Sequence, residues 1–174
     1  MAQDHRNRPR SQPGGARTSG SPRTGSGGGR GSTDQDENEI SEILKGKSRI
    51  ILWSDGNRRS LRPELLDSEA QDRARALREV SSSQLRRFYG PTVAFKQRLQ
   101  MDQRVTDIEV EAQVAYLKAS SAYAGARKQP KALVEFFVAA ANSVKTRDDY
   151  LGFTQHFEAV MAFHKVFETK RTER

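Results

Sequence analysis

Residues 106–128 read TDIEVEAQVAYLKASSAYAGARK, and two apolar stripes run through them at helical spacing. One is Ile108, Ala112, Ala115, Ala119, Ala122 and Ala126; beside it lie Val110, Val114, Leu117, Ser121 and Ala124. Apolar residues over that much of a helix predict a central element packed on several sides, with alanines letting neighbours approach closely. Pro130 ends the segment. Downstream, Leu133, Phe136, Phe137, Ala140 and Val144 predict a helix over about 131–144. Thr146 with Asp149 then makes a capping-box-like start, Asp being shorter than the usual Glu, to a last helix burying Phe153, Phe157, Val160, His164 and Phe167.

Upstream, Leu85, Phe88, Thr92, Phe95 and Leu99 alternate spacings of three and four behind a cap from Ser81-Ser82-Ser83, with Pro91 as a kink or local start. Pro63 suits the first turn of a helix carrying Leu65, Leu66, Ala70, Ala74, Leu77 and Val80. The expectation is an all-α, five-helix bundle over residues 61–170.

Residues 34–60 read as an acidic linker and a short ordered patch. A weak helix covers Glu37 to Lys45, and Arg49-Ile50-Ile51-Leu52-Trp53 is extended, caps one end of the core and stops at the turn signal Ser54-Asp55-Gly56-Asn57. Residues 1–33 are Gly, Ser, Pro and Arg, a composition that buries too little surface to repay chain ordering, so a disordered Arg/Gly-rich tail is expected. Such a tail touches RNA nonspecifically or is a solubilising extension; both readings stay open. The whole chain, 174 residues, suits one core.

The formal charge is +8. Arg6, Arg8, Arg10, Arg17, Arg23 and Arg30 against Asp4 are nearly offset by Asp34, Asp36, Glu37 and Glu39, so most of the excess belongs to the helical part. A basic fold favours polyanions, with nucleic acid the leading class. There is no cysteine, hence no disulfide or thiolate metal site, which suits a reducing cytoplasm. No apolar run approaches a membrane span, and no membrane partner is expected.

The raw material for catalysis is thin. His5 lies in the tail; His156 and His164, eight apart, do not share a face as i, i+4 metal ligands would. His164 falls on the apolar stripe, where a buried, hydrogen-bonded imidazole is the ordinary reading. The small helical ribonucleases that pair an Arg with a His four to six residues downstream find no counterpart, since Arg147 is too far from His156. Glu158 and Lys165, seven apart, share a face and read as a solvated or intersubunit ion pair. No catalytic residue, metal or cofactor is expected, and the chain reads as a binding subunit and not an enzyme.

The cations are more organised. Arg87 and Arg98, eleven apart, share an azimuth off the apolar face with Arg86 beside them, a cationic ridge. Arg127 and Lys128 end the third helix, where they either complement its macrodipole or converge with the ridge on one groove holding a phosphate backbone.

Three strings in order, Leu85-Arg86-Arg87-Phe88-Tyr89, Tyr123-Ala124-Gly125-Ala126-Arg127 and Phe157-Glu158-Ala159-Val160-Met161-Ala162-Phe163-His164-Lys165, resemble the small subunit of the type III-A CRISPR effector, the Csm complex. The resemblance spans roughly Leu61 to Phe167. It departs at two places: the family tends to have Gly before the Arg of the middle motif and Tyr before the His of the last, where this chain has Ala126 and Phe163. The resemblance implies a non-catalytic subunit of an antiviral complex, stacked in several copies as an inner filament beside the other subunits. Its basic surface would support the duplex of guide crRNA and target RNA. By the same analogy Arg86, Arg87 and Arg127 are the RNA-binding candidates, with Lys128 and Arg98 weaker, while Phe88, Tyr89, Phe157, Glu158, His164 and Lys165 shape the fold or subunit contacts. The competing reading is a stand-alone helical nucleic-acid-binding or scaffold protein without a guide.

Overall fold

The structure, a computed structural model, describes residues 30–127 and 130–168, with side chains from residue 35. Six helices follow one another: α1 (Arg30–Lys45), α2 (Ser68–Ala76), α3 (Ser82–Met101), α4 (Asp107–Ala126), α5 (Lys131–Ser143) and α6 (Arg147–Phe167), with a 3₁₀ turn at Pro63–Leu66. Among the described residues there is no strand, only a single antiparallel bridge between Trp53 and Leu61. The fold is all-α as expected, with six helices instead of five.

The extra helix is α1. The expected weak segment Glu37 to Lys45 is the second half of a sixteen-residue helix. Ile40 is buried against Val134 and Val138 of α5, with Ile43, Leu44 and Ala122 around it, a small cluster separate from the main core. Three apolar residues at i, i+3 and i+4 suffice because the partner surface is already built. Lys118 Nζ donates to the Leu44 carbonyl at 3.2 Å and Asn142 Nδ2 to the Gly46 carbonyl at 2.9 Å, finishing the α1 C-terminus. The expected tail lies outside the described residues apart from Arg30–Thr33, which form the first turn of α1.

Three capping boxes start the longer helices. Ser81 and Gln84 begin α3, Thr106 and Glu109 begin α4, and Thr146 and Asp149 begin α6. Asp149 succeeds despite its length because it is buried: Oδ2 accepts from the Lys145 and Thr146 amides, both at 3.1 Å, while Oδ1 takes Trp53 Nε1 at 2.8 Å. Trp53 therefore bolts the 49–62 hairpin onto α6.

The main core gathers Leu85, Phe88, Phe95 and Leu99 of α3, Leu133, Phe136, Phe137 and Ala140 of α5, and Tyr150, Phe153, Phe157 and Val160 of α6. Phe136 meets Phe137 and Phe157 with centroids 5.3 Å apart, in tilted or edge-on contacts that aromatic rings prefer. Two expectations are corrected here. On α4 the stripe Val110, Val114, Leu117 and Ser121 turns into the main core and Ala122 and Gly125 meet α1, but Ile108 is 81% exposed, and Ala112, Ala115, Ala119 and Ala126 face outward. The helix enclosed on several sides is α5, buried at Leu133, Val134 and every position from Phe136 to Ala140. Alanine misleads because it is the best helix former wherever it stands, so its spacing does not report burial. The first expected helix is also broken, into the 3₁₀ turn and α2, by the non-helical backbone of Asp67.

Candidate nucleic-acid interface

The start of α3, which packs on α6, and the second half of α4, which packs on α5, face one another across an opening. There the two helices leave a groove of about 350 Å³. Arg87, Phe88 and Pro91 form one wall; Tyr116, Ser120, Tyr123 and Arg127 form the other; Leu117 and Leu133 lie at its base. None of the described lining residues is acidic. A larger cavity of about 740 Å³ between α1, α2 and the start of α5 mixes Arg75, Arg78 and Lys131 with Asp36 and Glu79, so its charges largely cancel.

Each groove side chain has a local reason for its place. The α3 stripe buries Phe88 and leaves Arg86 and Arg87 exposed one turn into the helix. Pro91 sits inside α3 without ending it; its missing N–H deprives the Arg87 carbonyl of the usual donor four residues on. Tyr116 and Tyr123, seven apart and so on one face, are 62% and 64% exposed. Arg127 is the C-cap of α4, and its guanidinium lies 4.9 Å over the Tyr123 ring. Two guanidinium groups on separate helices flanking exposed aromatic faces can pair phosphates and stack bases together.

Of the five expected RNA-binding residues, the structure brings Arg87 and Arg127 to one groove. Arg86 is exposed beside it but does not line it. Arg98 is further along α3, about 16 Å at helical rise, where Nη2 meets Glu109 Oε1 at 2.5 Å. That carboxyl is held below the usual range first by the Thr106 amide and then by Arg98. Glu109 thus interrupts the ridge. Lys128 lies outside the described residues. The tyrosines were missed because aromatic spacing alone looks like core; the signal was their position off the Val114/Leu117 stripe.

The two described histidines, His156 and His164, tie elements together. His156 Nδ1 is 2.6 Å from the Leu65 carbonyl and His164 Nε2 3.1 Å from that of Leu77, so each fastens the α2 segment to α6. Both are buried, and burial pushes His156 below the ordinary imidazole range. Glu158 pairs with Lys96 of α3 at 2.9 Å, and not with Lys165, which faces Glu168. Among the described residues no cluster of three or more His, Asp or Glu could hold a metal, and no helix is long and apolar enough to cross a membrane.

A small all-α bundle presenting a cationic, aromatic-walled groove is the class that fold and site define. The chain belongs to the Csm2 type III-A family, whose model matches residues 60–170. It is accordingly a small subunit of the type III-A CRISPR Csm complex, an antiviral defence assembly. No curated protein and no solved structure matches it. The family's Gly position is filled without strain: Ala126 is exposed and helical, and Arg127 adopts φ −98°, ψ 32°, which any residue reaches. The close approach belongs one residue earlier, at Gly125, where a Cβ would meet Val134 Cγ2 at 2.7 Å.

Proposed function

We propose that this chain is a non-catalytic RNA-binding subunit that supports the guide–target duplex, chiefly the target strand, in the groove between α3 and α4. The observation that carries this reading is the convergence of Arg87 and Arg127 on a groove whose described lining contains no acid. Arg86 reaches the same strand from the rim, and Lys128 follows Arg127 in sequence. Tyr116 and Tyr123 offer faces to bases, a contact indifferent to sequence because every base has a π-face. That suits a subunit meeting any target its guide selects, since phosphate contacts carry no sequence information. Both described histidines bind backbone carbonyls, which supports a role without chemistry and without a cofactor.

Several copies stack head to tail along one guide, a heterologous contact that need not close. Exposed Met101 and Ile108 at the α3–α4 turn and Val166 at the other end of the bundle supply apolar surface at both ends for it. Assembly takes place in the cytoplasm with the other Csm subunits.

The test is affinity of the assembled complex for target RNA across a salt series. Arg87→Ala with Arg127→Ala should weaken binding similarly for all matched targets and flatten the log affinity against log salt slope by about 0.7 per lost single-strand contact, or about 0.9 if to duplex. Melting temperature should stay near wild type, as exposed substitutions usually cost within about 0.5 kcal/mol. An unchanged slope with a lowered melting temperature would make Arg127 a helix cap and remove it from the site. Recovery of tagged protein without repeat-derived guides would overturn the assignment to RNA.

A further inference from the structure

Residues 46–59 precede the family match and carry Lys47, Arg49, Arg58 and Arg59 against Asp55 alone. They fold as a tight hairpin: the Ser54 amide donates to the Ser60 carbonyl and the Arg62 amide to that of Leu52, both at 3.0 Å. At its tip Arg58 adopts φ 55°, a left-handed conformation costly for a residue with a Cβ. Its amide donates back to the Asp55 carbonyl at 3.4 Å, and its side chain ties the turn to the start of α6, Nη1 donating to Thr146 Oγ1 at 3.0 Å and Nε lying 3.7 Å from Asp149 Oδ1.

Between this hairpin and the α5–α6 junction lies a second cavity of about 350 Å³, with Arg49, Arg58 and Lys145 among its lining. Asp149 is the one carboxylate among its described lining residues, and it is 3% exposed with both oxygens engaged by Trp53 and two backbone amides and Oδ1 also 3.7 Å from Arg58 Nε. Ser143 Oγ donates to the Ala139 carbonyl and accepts from the Ile50 amide, and Asn142 Nδ2 donates to the carbonyls of Gly46 and Ser48. Arg58 is committed to Thr146 and Asp149, which leaves two cations: Arg49 has no partner among the described residues, and Lys145 shares its charge only with the exposed Glu111 at 3.2 Å. What the cavity offers is therefore cationic side-chain donors with no free carboxylate among its described lining, which suits a group that only accepts. The cavity lies against α5 and α6, apart from the groove between α3 and α4.

We infer that this hairpin cavity is a second phosphate site that takes the backbone of an RNA strand, giving each copy two separated contacts. The choice of RNA over another polyanion rests on the groove reading above. Arginine's fork and the lysine ammonium suit phosphodiester oxygens, and the surrounding basic segment adds long-range attraction.

The experiment titrates full-length protein into fluorescently labelled single-stranded RNA over a salt series, comparing Arg49→Ala/Lys145→Ala, Arg87→Ala/Arg127→Ala and the four-fold variant. Arg58 is left alone because it holds the turn. The expected result is a slope flattened by about 0.7 per contact in each double variant, the two losses adding in the four-fold variant, with unchanged melting. If only the groove variant loses slope, the inference fails and the groove reading stands. If only the hairpin variant does, the inference stands and the groove reading fails. Should the hairpin variant melt lower, Arg49→Lys/Lys145→Arg must keep the wild-type slope; loss there would show a structural role and overturn the site. Polyglutamate losing affinity in the hairpin variant as strongly as RNA would also overturn it, revealing a generic anion patch.

Discussion

Glu168 shows how far a single carboxylate can act from its place in the chain. It follows α6, yet Oε1 accepts the Ser82 amide at 2.7 Å and Oε2 the Ser82 hydroxyl at 2.6 Å, closing the first turn of α3. Those bonds, the hydroxyl's first, hold its pKa down at about 2 against an ordinary 4.5. The folded value is the lower one, so its stabilisation is complete above about 4.5 and fades as pH falls toward 2. Glu168→Gln should lower the melting temperature at pH 7, and the gap from wild type should close by pH 2. His156 adds a loss starting higher, below pH 6.5, because the buried ring resists the proton that the unfolded chain accepts. Its Nε2 has no partner among the described residues, and its ring protons should titrate below those of a free histidine by NMR. The Thr146/Asp149 cap was legible because both partners sit within one turn. The Ser82–Glu168 cap was not, since nothing local pairs residues 86 apart.

At the scale of elements, α1 depends on a close approach that only glycine allows. A methyl at Gly125 would stand 2.7 Å from Val134 Cγ2, closer than real Cβ atoms come, and 3.0 Å from Ile40 Cδ1, a tight contact. Gly125→Ala should therefore push α1 away while leaving the main core, with hydrogen exchange speeding selectively over residues 35–45. Ile40→Ala removes the anchor of the same cluster and should cost about 2–5 kcal/mol if α1 stays docked, less if it is released. In α3, Pro91 is exposed and breaks one intrahelical bond, so Pro91→Ala should raise stability by up to about 3 kcal/mol, read as a rise in melting temperature. The α3 stripe was fully readable, all five residues being buried. The α4 stripes were not, because two faces of similar apolarity leave the choice to whatever packs against them.

For the molecule as a whole, the family-matched segment does not contain all of its own core. Ile50 and Leu52 are buried in it, and Trp53 satisfies the buried Asp149, yet all three precede residue 60. A chain beginning at residue 60 should lose cooperative melting, whereas one beginning at residue 46 should keep it at a lower temperature; equal melting of the two would show the hairpin to be dispensable. Helix number and length come from periodicity and caps, which are local, so five of six helices, the basic balance and the three family strings stand in the chain itself. The cationic groove is different in kind. Arg87 and Arg127 are forty residues apart in sequence and line one groove because the start of α3, held on α6, comes opposite the end of α4, held on α5, while Arg98, at nearly the same azimuth as Arg87, is met by Glu109. Azimuth is a property of one helix. Which cation finds a carboxylate and which faces an open groove is a property of neighbours, and three-dimensional packing alone supplies those.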